Sequence, residues 1–134
     1  MKRLSGPILL GALLIVIFSL PVYGATITCT ACGMEVDLNS KFVAKIVRGD
    51  TTSYFCDIGD MFDYMKRKNL PSDGAQVKDY ATGAWMDATK AFYVRAEKKF
   101  ATPMSWGVAA FQDRNRAAEY GAAKDFAGMA KALP

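Results

Sequence analysis

The sequence predicts an α+β fold of two small ββαβ-type halves, each an antiparallel sheet with helices on one face, packed as one mature domain. Short runs of β-branched and apolar residues end at turn signals. An aspartate stands before each stretch with helical spacing. The order strand, strand, helix, strand is expected twice, as a repeat of elements rather than of residues. We expect three parts: a signal peptide at 1–24, a first half with a Cys/Met metal site at 25–83, and a second half at 84–134.

The first 24 residues contain the three parts of a secretory signal peptide. Met1-Lys2-Arg3 is basic, residues 8–20 are almost continuously apolar, and small residues follow Pro21 as far as Gly24. The apolar run is shorter than the roughly 20 residues of a membrane-spanning helix. We therefore predict cleavage after Gly24 and a periplasmic or extracytoplasmic protein without a permanent membrane span, in preference to an uncleaved anchor.

The first half has three strand signals and one helix signal. The predicted strands are residues 42–47, 51–56 and 76–82. Arg48-Gly49-Asp50 predicts the turn that joins the first two strands into a hairpin. Asp57 is expected to cap a helix at residues 58–68, because apolar side chains recur there at helical spacing.

The second half is expected to follow a similar order with shorter elements. Strands are predicted at residues 90–96 and 108–111, separated by a loop around Pro103-Met104. Asp113 is expected to cap a helix at 114–122. A short extended piece near Asp125-Phe126 and a last helical turn are expected to complete the chain.

The composition excludes several classes of function. The chain has no histidine, which removes the commonest general base and imidazole ligand, and with them Ser-His-Asp and Cys-His catalysis. The net charge is +4, and it falls to +2 when Lys2 and Arg3 leave with the signal peptide. Nucleic-acid binding needs a clustered basic face instead. We therefore predict a protein that is not an enzyme and does not bind nucleic acid.

Sulfur is concentrated in two segments of the first half. Cys29, Cys32 and Met34 stand together after the signal peptide, and Cys56 ends the predicted hairpin shortly before Met61. If the first segment packs over the hairpin end, these sulfurs converge. Thiolate and thioether are soft donors that suit Cu(I), whereas a zinc site more usually adds a fourth cysteine or a histidine. The candidate metal ligands are Cys29, Cys32, Met34, Cys56, Met61 and, from the later Pro-Met loop, Met104.

The same residues leave other interpretations open. In an oxidising compartment Cys29 and Cys32, or one of them with Cys56, can form a disulfide that leaves one thiol over. The chain is then a structural or interaction domain without a metal. Met61 also fits the core face of its helix. Thiol–disulfide oxidoreductase activity is disfavoured, because a thioredoxin-like Cys-x-x-Cys follows a strand and opens a helix.

These motifs in combination resemble the NosL family, accessory proteins of nitrous-oxide reductase assembly. The resemblance begins with Cys29-x-x-Cys32-Gly33-Met34 and continues with Tyr54-Phe55-Cys56-Asp57. It extends over nearly the whole mature chain. The further matching segments are Val77-Lys78-Asp79-Tyr80, Thr82-Gly83-Ala84-Trp85-Met86-Asp87-Ala88, Lys90-Ala91-Phe92-Tyr93-Val94 and Thr102-Pro103-Met104-Ser105-Trp106-Gly107.

The resemblance implies a Cu(I)-binding metallochaperone that delivers or stores copper for a copper-dependent enzyme or another copper carrier. It places copper on Cys32 and Met34, and a likeness to TRASH and YHS heavy-metal-binding modules adds Cys56. The family often uses histidine as a further ligand. Because this chain has none, Cys56, Met61 or Met104 is expected to complete the shell. Family members are commonly lipoproteins, but no lipobox precedes Cys29, so we expect a soluble exported protein.

Overall fold

The computed structural model describes residues 24–134. The predicted signal peptide lies outside the described residues, except for Gly24. Between residues 24 and 134 the strands are β1 (Ala44–Arg48), β2 (Thr51–Phe55), β3 (Ala75–Lys78), β4 (Trp85–Asp87), β5 (Phe92–Arg95) and β6 (Val108–Phe111). The helices are α1 (Ile58–Lys68), α2 (Arg114–Ala118) and α3 (Phe126–Ala132), with a 3-10 turn at Ala88–Lys90. The predicted α+β class is confirmed.

A four-stranded antiparallel sheet in the order β2-β1-β3-β4 forms the larger layer. The hairpin between β1 and β2 turns through Gly49-Asp50, since Arg48 is paired directly with Thr51. Gly49 has a φ of +55°, which a two-residue hairpin turn requires and glycine adopts without strain. This tight turn places the end of β2, and Cys56 after it, beside the start of β1.

Helix α1 follows β2 directly and matches the predicted span of 58–68. Its cap is Asp57, whose side chain accepts a hydrogen bond from the Gly59 amide. It ends at Asn69 in the left-handed conformation. Its apolar face is buried in the core, as the helical spacing predicted: Ile58, Met61, Phe62 and Met65.

The second, two-stranded sheet pairs β5 with β6. Tyr93 of β5 also exchanges both backbone hydrogen bonds with Lys124. Strand β5 therefore lies between β6 and a short extended piece, as β1 lies between β2 and β3. A parallel bridge from Asp79 to Ala110 joins the two sheets.

Several element boundaries differ from the predicted ones. Strand β3 ends at Lys78 instead of Thr82, and helix α2 ends at Ala118 instead of Ala122. The extended piece is at Lys124, and α3 is longer than one turn. Strand β4 was not predicted; it forms because β3 offers a free edge, to which residues 85–87 pair. The domain boundary between residues 83 and 84 stays a prediction.

Within the described part of the chain, buried side chains form two hydrophobic clusters. The larger one lies between the four-stranded sheet and α1 and includes Cys29 and Cys56. The smaller one is rich in aromatic side chains, and the partly buried Tyr80 packs against it with its ring 5.1 Å from that of Phe100. No helix within residues 24–134 is long and apolar enough to cross a membrane.

Candidate metal centre

Four potential metal ligands converge at one end of the larger cluster. The Sγ atoms of Cys29, Cys32 and Cys56 and a carboxylate oxygen of Asp60 all lie within 4.8 Å of one another. The Cys32 and Cys56 sulfurs are 3.5 Å apart. Asp60 Oδ2 lies 3.7 Å from the Cys29 sulfur and 3.6 Å from the Cys56 sulfur. All three cysteines are free thiols, so the four groups can close on one ion.

Backbone hydrogen bonds bring the first two cysteines to the end of the hairpin. The Cys29 amide donates to the Met34 carbonyl (2.7 Å), and the Gly33 amide donates to the Cys29 carbonyl (2.8 Å), which closes a tight turn. The Thr30 amide donates to the carbonyl of Tyr54 in β2 (2.8 Å). Because Tyr54 is two residues before Cys56, this last bond fixes the turn beside the third cysteine.

Asp60 was not among the ligands predicted from the sequence. It lies four residues after Cys56, in the first turn of α1, and its Oδ2 is 3.6 Å from the Cys56 sulfur. Its Oδ1 accepts a hydrogen bond from the indole N–H of Trp106 at 2.8 Å. The four-residue spacing of a cysteine and an aspartate at a helix start was the available signal.

Trp106 reaches Asp60 because it packs on the backbone of Gly59. A Cβ atom at Gly59 would lie 2.0 Å from the Trp106 Cγ, far closer than any real contact. The indole of Trp106 is therefore in direct contact with α1, beside the ligand cluster formed by Cys29, Cys32, Cys56 and Asp60.

Asp57 holds the loop that carries Trp106 against the start of α1 by hydrogen bonds. Its carboxylate is fully buried and accepts hydrogen bonds from the Gly59 amide (3.0 Å) and the Met104 amide (3.1 Å). The Thr102 hydroxyl also contacts it. Burial raises the pKa of Asp57, and these hydrogen bonds oppose the increase. The buried carboxylate thus links the N terminus of α1 to the loop at 102–107.

Burial also determines the protonation of the thiols. It raises the pKa of Cys32, and it raises the pKa of Cys56 further, where the neighbouring Cys32 adds to the effect. Without a cation, both thiols are therefore protonated at neutral pH. A bound metal ion displaces those protons, and its positive charge balances the negative charges of the resulting thiolates.

The three candidate methionines occupy different environments. Met34 and Met104 are exposed (47% and 39%), whereas Met61 is fully buried in the hydrophobic core. Met34 lies on the turn of Cys29 and Cys32, and the backbone of Met104 is bonded to Asp57. The structure thus brings the three cysteines together, with Met34 on the turn of two of them and the Met104 segment bonded to Asp57. Coordination by any of the methionines stays a prediction.

Fold and site together define an α+β protein with a thiol-rich candidate metal centre between a hairpin end and a helix start. The NosL family model matches residues 23–130, and the chain belongs to the NosL family. Among solved structures, a similar one is the crystal structure of the copper chaperone NosL from Shewanella denitrificans. It is 16% identical with a TM-score of 0.61, and the alignment covers 81% of this chain and 96% of that one. At that identity the likeness shows the fold. No curated protein matches the chain.

Proposed function

We propose that this protein carries Cu(I) on the thiolates of Cys29, Cys32 and Cys56. The observation that carries the proposal is the convergence of three thiols from two separate segments within 4.8 Å. Three soft thiolates without a histidine suit a soft monovalent ion. Membership of the NosL family and the copper chaperone among the similar structures support the same cargo.

The accessibility of the cluster supports a carrier rather than a permanent store. Cys29 and Cys56 are buried, but Cys32 is partly exposed. An incoming ligand from a partner can therefore reach the ion at Cys32 while the two buried thiolates still hold it. Met34 and Met104 are exposed. Met34 lies on the same turn as Cys32, and its thioether is the further soft ligand that we propose there. The partner we propose is a copper-dependent enzyme or another copper carrier, and the chain itself performs no catalysis.

We further propose that the protein works outside the cytoplasm after cleavage behind Gly24. The basic start, apolar run and small residues of 1–24 support export. Intact-mass measurement of the periplasmic protein is expected to show a chain that begins at Ala25. A periplasmic chain that retains residues 1–24 would contradict cleavage.

The copper proposal is tested by anaerobic competition titration with a Cu(I)-specific chromophoric chelator. Wild type is expected to bind one Cu(I), and Cys32→Ala and Cys56→Ala are expected to lose most of the affinity, because each removes one thiolate. A lower Cu(I) affinity in Met34→Ala would identify the Met34 thioether as a ligand, whereas an unchanged affinity would show that it does not bind the ion. Met86→Leu is the matched control: Met86 is on β4, and its loss should leave the affinity unchanged. Wild-type affinity in both cysteine variants would refute the ligand assignment.

A further inference from the structure

We infer that Asp60 is a fourth metal ligand, so that the cluster also forms a tetrahedral S3O site for a divalent ion such as Zn(II). The S3O site uses the same three thiols as the proposed copper site, and the inference rests on the proposed function to that extent. It adds a carboxylate ligand and a second class of cargo. Its zinc test does not require that copper binds.

Three of the six distances between the ligand atoms are close to the edges of a tetrahedron, and the other three are at most 4.8 Å. Zinc bonds of about 2.3 Å to sulfur and about 2.0 Å to oxygen give edges of about 3.8 Å between two sulfurs and about 3.5 Å between sulfur and oxygen. The Cys32–Cys56 sulfur distance is 3.5 Å, and Asp60 Oδ2 lies 3.7 and 3.6 Å from Cys29 and Cys56. These three edges therefore need shifts of only about 0.1 to 0.3 Å to enclose the ion.

The orientation of the Asp60 carboxylate also suits a ligand. Its Oδ1 is occupied by the indole N–H of Trp106, while its Oδ2 faces the thiols. A hydrogen bond to the outer oxygen is how supporting residues commonly orient a ligating carboxylate. The indole is itself held against Gly59. Because Asp60 is 5% exposed, its orientation is fixed within the fold.

The chemistry of the two ions predicts different uses of this carboxylate. Zn(II) takes cysteine and carboxylate ligands together and prefers four of them. Cu(I) is soft, and a hard carboxylate oxygen adds little to three thiolates. Asp60 is therefore expected to strengthen the binding of a divalent ion selectively. The alternative is that Asp60 only accepts hydrogen bonds from the thiols.

The test compares wild type with Asp60→Asn in the reduced, anaerobic mature protein. Asparagine keeps the size of the side chain and an oxygen for Trp106, but it loses the anionic ligand. Competition titration with Zn(II) is expected to show an affinity at least about 10-fold lower, as for the loss of an interaction that supports a metal ligand. The Cu(I) affinity is expected to remain within about threefold. Co(II) absorption supplies a second readout, since the intensity of its ligand-field bands reports tetrahedral geometry.

Asp63→Asn is the matched control. Asp63 lies on the same helix, where it pairs with Arg67, and its substitution removes the same charge without touching the cluster. Zinc affinity should therefore be unchanged. X-ray absorption of zinc-loaded wild type requires no variant, and it is expected to show three sulfurs and one oxygen.

Two outcomes would overturn the inference. One is equal Zn(II) affinity in wild type and Asp60→Asn, including no binding by either, and the other is a four-sulfur shell around zinc. If zinc binding depends on Asp60 but wild type does not bind Cu(I), the inference stands and the proposed copper function fails. The two failures are therefore distinguishable.

Discussion

Substitution of Gly59 by alanine tests the packing that holds the indole of Trp106 beside the cluster. In a helix this change ordinarily stabilises a protein by about 0.5 to 1 kcal/mol, because glycine loses more backbone freedom on folding. Here the new Cβ would lie 2.0 Å from the Trp106 Cγ and 2.4 Å from its Cβ. The indole must move, and its hydrogen bond to Asp60 breaks.

The expected loss follows from these two contributions. A hydrogen bond to a charged group contributes about 1.5 to 3 kcal/mol. After the helical gain is subtracted, Gly59→Ala is expected to lower the free energy of unfolding by about 0.5 to 2.5 kcal/mol. For a folded chain of this size the midpoint temperature should fall by about 2 to 11 °C. We would measure urea unfolding by circular dichroism, together with the emission wavelength of the displaced tryptophan.

A double-mutant cycle isolates the steric contact. In a Trp106→Ala background the Cβ added by Gly59→Ala has space, so the same substitution should stabilise the protein by about 0.5 to 1 kcal/mol. The change of sign between the two backgrounds is the signature of the contact. Equal effects of Gly59→Ala in both backgrounds would refute the reasoning.

Three further predictions concern other parts of the structure. Asp57→Ala should lower the free energy of unfolding by about 2 to 4 kcal/mol, measured by urea denaturation, because it removes a helix cap and a buried acceptor for the loop at 102–107. Asp79 should stabilise the fold above pH of about 4 and lose this effect as the pH falls. Burial by itself raises the pKa of Asp79, but hydrogen bonds from Thr82 and the Gln112 amide outweigh it and lower the pKa overall. Mild oxidation should join Cys32 to Cys56, whose sulfurs are 3.5 Å apart, and peptide mapping by mass spectrometry would identify the bond.

Each of these predictions has its own control. Asp50→Ala, in the exposed hairpin turn, should have little effect on stability, unlike Asp57→Ala. For the pH effect, Asp79→Asn should be less stable than wild type at pH 7, and the two free energies of unfolding should converge in acid. A difference that does not change with pH would contradict the lowered pKa of Asp79. In the oxidation experiment Cys29→Ser should still form the disulfide, and a dominant Cys29–Cys32 bond in wild type would contradict the geometry.

Much of the first half could be predicted from local patterns. The helix at 58–68 follows from Asp57 as a cap and from apolar spacing, and both signals act within a few residues. The hairpin follows from the Gly49-Asp50 turn in the same way. Strand β4 was missed because three residues carry little pattern of their own, and the edge of β3 supplies its hydrogen bonds.

The candidate site was predicted in part. The cysteines were recognisable because clustered thiols without histidine indicate soft-metal chemistry. Asp60 was missed because an acidic residue in the first turn of a helix ordinarily indicates a favourable interaction with the helix dipole. The exposed fractions that separate Met34 from Met61 depend on packing partners far along the chain.

The sequence by itself determined most of the element types, the caps at Asp57 and Asp113 and the chemical class of the site, because these depend on residue identity and on neighbours within one or two turns. Only the tertiary structure decided which atoms meet. The turn at Cys29 reaches Cys56 through a bond to Tyr54, and Trp106 reaches Asp60 across 46 residues. Such contacts depend on how the sheet, helix and loop pack together, and sequence spacing alone does not encode that distance.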